Sequence, residues 1–182
     1  MSAGLASLNR LDPPDARAVL LGCCGSQRWA ALMERGRPYA TSDEVTALAE
    51  LAFDGLDQGD WLEAFAAHAR IGEPRGSDPQ GHGEQAGVLG AGAGERRELA
   101  ERNTAYEARF GYVFLICATG LDASASIAAL EARYANPPQV EFALAGAQQR
   151  KITRLRLGRL LATPTPGTPE APGAPEPTRA GR

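Results

Sequence analysis

The chain has 182 residues and a formal net charge of −3, and 43% of its residues are hydrophobic. That suits one domain with a proper core plus a tail. The mild acidity argues against a nucleic-acid partner, no apolar run is long enough to span a bilayer, and the first residues lack the pattern of a secretory signal. Leu5, Leu8 and Leu11 read as a short opening turn before Pro13-Pro14. Asp15 to Cys24 reads as a helix with Ala18, Leu21 and Cys24 inward. Ser26 then caps a helix from Gln27 to Glu34, which Gly36 and Pro38 end. Thr41-Ser-Asp-Glu44 has the pattern of a capping box, opening a helix with Val45, Leu48, Leu51 and Ala52 on one side.

Trp61, Ala64, Phe65 and His68 recur at i, i+3, i+4 and i+7, one stripe of a helix. Asp60 reads as its N-cap, with Glu63 three residues on. One of only two histidines therefore faces inward near a helix end. Between positions 72 and 94 the glycines crowd together, which reads as a long functional or disordered loop. Inside it, Gly81-His82-Gly83-Glu84-Gln85 holds a carboxylate that could sit against the imidazole as an acid–base site.

Helix returns by about Glu95, with Leu99, Asn103, Tyr106 and Phe110 at helical spacing. Val113 to Ala118 is a short apolar run, either a buried strand or an extended core segment; periodicity does not decide. Ser124 to Tyr134 reads as helix, ended by Asn136-Pro137-Pro138. The last helix runs from Glu141 to Leu161, with Phe142, Ala145, Ile152, Leu155 and Arg156 near one face. Residues 1–161 thus form one mostly helical domain. Residues 162–182, rich in Pro, Gly, Thr and Ala, read as a disordered tail.

The three cysteines, Cys23, Cys24 and Cys117, make an odd number without a C-x-x-C pair, which argues against a disulfide framework or a zinc site. Reduced thiols in the cytoplasm fit best. The adjacent Cys23 and Cys24 read as packing residues. The glycines of 87–94 lack G-K-[ST] and make no phosphate loop.

Several short motifs occur in one order: Cys23-Cys24-Gly-Ser-x-x-Trp29, Arg37-Pro38-Tyr39, Leu62-Glu-Ala-Phe-x-x-His68-x-Arg-Ile-Gly72 and Glu84-Gln85-Ala-Gly87. Asn103-x-x-Tyr106-x-x-Arg109-Phe110-Gly111, Phe114-Leu-Ile-Cys-Ala-Thr-Gly120 and Lys151-Ile-Thr-x-Leu-Arg156-Leu follow. Together, over roughly residues 5–161, they resemble the decarboxylases of 2-oxo-4-hydroxy-4-carboxy-5-ureidoimidazoline (OHCU), a late step of urate breakdown that yields S-allantoin. The resemblance implies an all-α fold, a homodimer, and neither cofactor nor metal. It places the catalytic histidine at His68 and the catalytic glutamate at Glu84. It lines the substrate pocket with Ala69, Gly81, His82, Gly83 and Gln85, with the apolar run Phe114, Leu115, Ile116, Cys117 and Ala118, and with Arg156 of the last helix (Arg154 being the alternative). His82 by itself reads as a loop residue, since the family uses no histidine there. Ala69 stands where the family often has proline, and Gly81 where it often has serine.

The chemistry implied needs little from a protein. The substrate carries its carboxylate on a hydroxylated carbon beside a ring imine, which accepts the electrons when carbon dioxide leaves. It is its own electron sink, so positioning and general acid–base catalysis suffice. His68 would exchange the hydroxyl proton. Glu84 would fix the imidazole tautomer or hold the substrate's hydroxyl or ureido group. Arg156 would grip a carboxylate or carbonyl with its planar fork. The rival reading is a non-catalytic helical binding or regulatory module derived from the same family.

Overall fold

The computed structural model describes residues 2–73 and 83–163, and among these its regular structure is all helix, with no strand. The opening turn is a full helix, α1 (Ala3–Arg10), capped by the Ser2 hydroxyl, which accepts from the Leu5 N–H and donates to the Leu161 carbonyl at 2.7 Å. Helix α2 (Pro13–Cys24) starts two residues before the expected Asp15. Both prolines sit in its first turn, where a missing N–H costs nothing. It ends at Gly25, whose φ of +87° is left-handed, and a Cβ there would lie 2.5 Å from that of Ala67. Helix α3 (Gln27–Arg35) is capped as expected, the Ser26 hydroxyl accepting from the Trp29 N–H.

In α4 (Ser42–Asp54) the Thr41 hydroxyl accepts from the Glu44 N–H. The returning Glu44 carboxylate accepts from Ala40 rather than from Thr41. The inward face is Val45, Ala49, Ala52 and Phe53; Leu51, expected inside, is 65% exposed. Helix α5 (Gln58–Ala66) corrects the expected cap by one turn: Asp57 is the N-cap, and Asp60 is the N3 residue that completes the box. Asp57/Asp60 and Asp60/Glu63 have the same spacing, so pattern alone did not separate them.

The glycine-rich window is not one long loop. It contains α6 (Ala86–Leu89) and the start of α7 (Ala93–Phe110). Gly87 is needed for close approach, since a Cβ there would lie 2.4 Å from the Leu121 carbonyl oxygen. The run 113–118 is extended core backbone, not a strand. Helix α8 (Ala123–Tyr134) is capped by Asp122, and α9 (Pro138–Ala162) begins on its proline. Leu155 of α9, expected on the inner face, points outward at 39% exposure. The tail expected from residue 162 lies, beyond Ala162 and Thr163, outside the described residues.

The 25-residue α9 is the spine, packed on α1, α2, α4 and α5. One core cluster lies under α1–α4 and gathers Leu8, Leu20, Trp29, Met33 and Phe53. A second joins Ile71, Val88, Leu99, Tyr106, Phe114 and Leu130. Between them sits a small third cluster of Phe65, Leu115 and Ala145. Trp29 is fully buried and its indole N–H donates to the Ala49 carbonyl, so its apolar burial carries no polar penalty. Arg37-Pro38-Tyr39 is a fastening. Arg37 Nη1 donates to the carbonyls of Leu8 and Leu11, each at 2.7 Å, and the Tyr39 hydroxyl donates to that of Met33.

Cys23 and Cys24 are buried, and burial pushes both thiols up from an ordinary value of 9.0 to about 12. Above pH 9 the unfolded thiols ionise while the folded ones stay protonated, so stability is fully present below pH 9 and falls as pH rises toward 12. Disulfide-exchange titration at pH 8 is expected to leave both unreacted in the native protein and to find them after denaturation. Reaction of either without unfolding would contradict their placement.

Candidate active site

His68 lies just past the end of α5, 8% exposed. Its backbone N–H donates to the Phe65 carbonyl, and ring Nε2 is 2.9 Å from the Gln149 Oε1 of α9. The chain that follows is pinned at every step. Arg70 makes a two-point pair with Glu107 at 2.7 and 2.8 Å. The Ile71 carbonyl accepts from buried Asn103, and the Gly72 N–H donates to Gln85 Oε1 at 2.8 Å. The imidazole is therefore carried by backbone tied to α7 and to the residue after Glu84. Such support holds a reacting group in one geometry.

Glu84 is also 8% exposed. Its carboxylate accepts from Arg156 Nε at 3.1 Å and Nη2 at 2.8 Å, and from Arg159 Nη1 at 2.8 Å. Arg156 Nη1 in turn donates to the Gly22 carbonyl. So the acid expected against the imidazole is taken by two guanidiniums of α9, and the imidazole meets an amide. His68 and Glu84 nevertheless face one cleft. Its other walls are Ala69 and Gln85, the apolar run Phe114, Leu115, Ile116 and Ala118, and Ile71 and Ile152.

Arg156 joins the cleft through Glu84. Gly83 is exposed and Cys117 turns its N–H to Gln148 Oε1 at 3.0 Å; neither lines the cleft. Gly81 and His82 lie outside the described residues. Sequence reasoning missed Gln149 and the pairing of Arg159, and did not set Ile71 and Ile152 in the wall. A signal for Gln149 was available. It falls on the buried stripe Ala145, Gln149, Ile152, Arg156 of α9, where a polar side chain must find an internal partner.

The apolar wall has its own anchor. Arg133 Nη1 donates to the Leu115 carbonyl at 2.6 Å, and its guanidinium lies 4.6 Å from the Phe114 ring centroid. Fully buried Glu141 accepts from Arg133 Nε at 2.9 Å, from Asn136 at 2.8 Å and from the Tyr106 hydroxyl. Burial, then the Glu141 hydrogen bond, raises the Tyr106 phenol well above its usual range, so it stays a donor. Among the described residues no group of three or more His, Cys, Asp or Glu is placed to hold a metal ion, and no helix is long and apolar enough to cross a membrane. The cleft thus brings together an imidazole, an arginine–carboxylate network and an apolar wall with fixed backbone.

Comparison with known proteins fits this arrangement. The family model of OHCU decarboxylase matches residues 9–158. A relative in Arabidopsis thaliana, a uric acid degradation bifunctional protein, is 34% identical over 147 residues; the match covers 77% of this chain but 45% of that protein. The 2-oxo-4-hydroxy-4-carboxy-5-ureidoimidazoline decarboxylase of Amia calva is 28% identical, covering 76% of this chain and 83% of that one. A crystal structure of an OHCU decarboxylase in the presence of (S)-allantoin superposes with a TM-score of 0.72 at 36% identity, covering 79% of this chain and 96% of the other. With nearly the whole helical region matched, this chain belongs to the OHCU decarboxylase family.

Proposed function

We propose that this protein decarboxylates 2-oxo-4-hydroxy-4-carboxy-5-ureidoimidazoline to S-allantoin and carbon dioxide, without a cofactor, with His68 as general acid and base. The observation that carries the reading is a buried imidazole sharing one cleft with a buried arginine–carboxylate pair, in a chain of this family. The bond from the hydroxylated carbon to the carboxylate breaks, its electron pair forms a double bond to the adjacent imine carbon, and the imine pair passes to the ring nitrogen, which takes a proton from solvent. Carbon dioxide leaves and an enol remains. His68 takes the hydroxyl proton as the carbonyl forms, and the imidazolium returns a proton to one face of the neighbouring carbon, the stereocentre of allantoin.

Arg156 and Arg159 receive the ureido or ring carbonyl, or the carboxylate, by charge-assisted hydrogen bonds. Glu84 holds Arg156 in register for that contact. The walls Ala69, Gln85, Phe114, Leu115, Ile116 and Ala118 shape the apolar side. Weak grip on the departing carboxylate matters, because a strong one would stabilise substrate over transition state. We also assign a cytoplasmic homodimer.

The test uses fresh substrate, generated from urate in the cuvette, with the circular dichroism of allantoin followed in time. Wild-type protein is expected to give one enantiomer rapidly. His68→Ala is expected to be slower by about 10²–10⁴-fold, the usual worth of general acid–base help, with nearly racemic product. Slow racemic product from the wild type would overturn the enzymatic reading in favour of a binding module. Full stereoselective turnover by His68→Ala would remove His68 from the chemistry.

A further inference from the structure

We propose that Gln149 is a positioning residue that holds His68 as the Nε2–H tautomer, so that proton exchange with substrate runs through Nδ1. The second half of this rests on the role given to His68 above. Gln149 is 0% exposed and has two different ends, which its neighbours tell apart. Its Nε2 lies 3.3 Å from the Cys24 carbonyl oxygen and 3.1 Å from Thr153 Oγ1. A carbonyl only accepts, so the end facing Cys24 is the NH2 group. The end facing His68, 2.9 Å away, is therefore the amide oxygen, and only an N–H satisfies it.

The elements involved cannot slide easily. Cys24 closes α2, His68 follows α5, and Gln149 and Thr153 stand one turn apart on α9. Reversing the amide would set its NH2 against the imidazole and its oxygen against a carbonyl oxygen, leaving two buried acceptors face to face with no donor between them. A neutral imidazole with its proton on Nε2 keeps its lone pair on Nδ1. When Nδ1 takes a proton, the Nε2–H bond to Gln149 persists, so the amide oxygen also steadies the imidazolium. Gln149 thus does for this histidine what an acid does in many acid–base pairs, but without a charge. That leaves Glu84 for the arginines.

The experiment is nitrogen-15 NMR of the full chain with labelled histidine, with the signals absent from His68→Ala assigned to His68. At pH where the ring is neutral, the wild type is expected to show a protonated Nε2 and an unprotonated Nδ1. Gln149→Leu, similar in size, is expected to give a mixed-tautomer pattern and to lower kcat about tenfold, with KM changed less than about twofold. Gln149→Glu is expected to raise the pH at which His68 loses its proton by about 1–3 pH units, because an opposite charge favours imidazolium. The pH–rate profile should move with it. Glu84, Arg156 and Arg159 around the cleft are the same in each variant, so the shift reports position 149.

A wild-type spectrum with the proton on Nδ1 would overturn the proposal. So would an unchanged tautomer pattern in Gln149→Leu, or an unmoved titration in folded Gln149→Glu. If instead the tautomer results hold while His68→Ala keeps full turnover, the role of Gln149 stands for the ring and the catalytic role of His68 falls. The two readings fail separately.

Discussion

Arg156→Met is expected to lower kcat/KM by about ten- to 150-fold, the equivalent of losing a charge-assisted hydrogen bond of about 1.5–3 kcal/mol to substrate. It should also destabilise the fold. The Arg156–Glu84 pair is buried on both sides, at 6% and 9% side-chain exposure, and breaking such a pair by removing one partner costs about 3–5 kcal/mol. The lower end is expected, because Arg159 keeps its 2.8 Å contact with Glu84 Oε1. The double variant Arg156→Met with Glu84→Leu separates the two effects. It removes the stranded carboxylate, so denaturant unfolding should recover much of the lost stability while turnover stays low. Recovery of turnover along with stability would show that Arg156 serves only the fold.

The second large effect is expected at a residue far from the imidazole. Glu141→Ala strands Arg133 and leaves the Tyr106 hydroxyl and Asn136 amide without their shared acceptor. The same range of about 3–5 kcal/mol applies. For a chain of this size that corresponds to roughly 10 °C in Tm, read by thermal circular dichroism. Catalysis should suffer as well, since Arg133 also holds the Leu115 carbonyl of the cleft wall. Glu141→Gln keeps one acceptor oxygen and should lose less. An unchanged melt in Glu141→Ala would mean that Arg133 finds another partner and that the wall does not depend on this network.

The local signals in the chain were legible where neighbours in sequence are also neighbours in space. Ser26 and Thr41 cap the helices they precede, because a cap and its N–H are three residues apart. The stripe holds for the same reason at Ala64 and Phe65, both fully buried, while His68 is inward but one residue past the Ala67 cap that ends the helix. Reading failed where several faces compete. Helix α4 has apolar residues nearly all round, so the period alone left Leu51 inside when Ala49 and Phe53 take that place. Helix α9 packs on α1, α2, α4 and α5 and is tied to α7 and α8 through Glu141, and its inner face cannot be drawn from one stripe; Leu155 was misplaced for that reason. The glycine-rich window looked like a loop because glycine disfavours helix in general, while Gly87 is needed where α6 comes down on Leu121.

By itself the sequence determined the helical class, most element positions, the ordered motifs that carry the family, and the two ionisable groups that share the cleft. Tertiary structure alone decided who partners whom. His68 and Gln149 are 81 positions apart, and Glu84 and Arg156 are 72 apart. No local period links residues at such separations. A buried carboxylate goes to the strongest donors within reach, here two guanidiniums, and a buried imidazole is satisfied by whatever acceptor the packing of α9 brings to it.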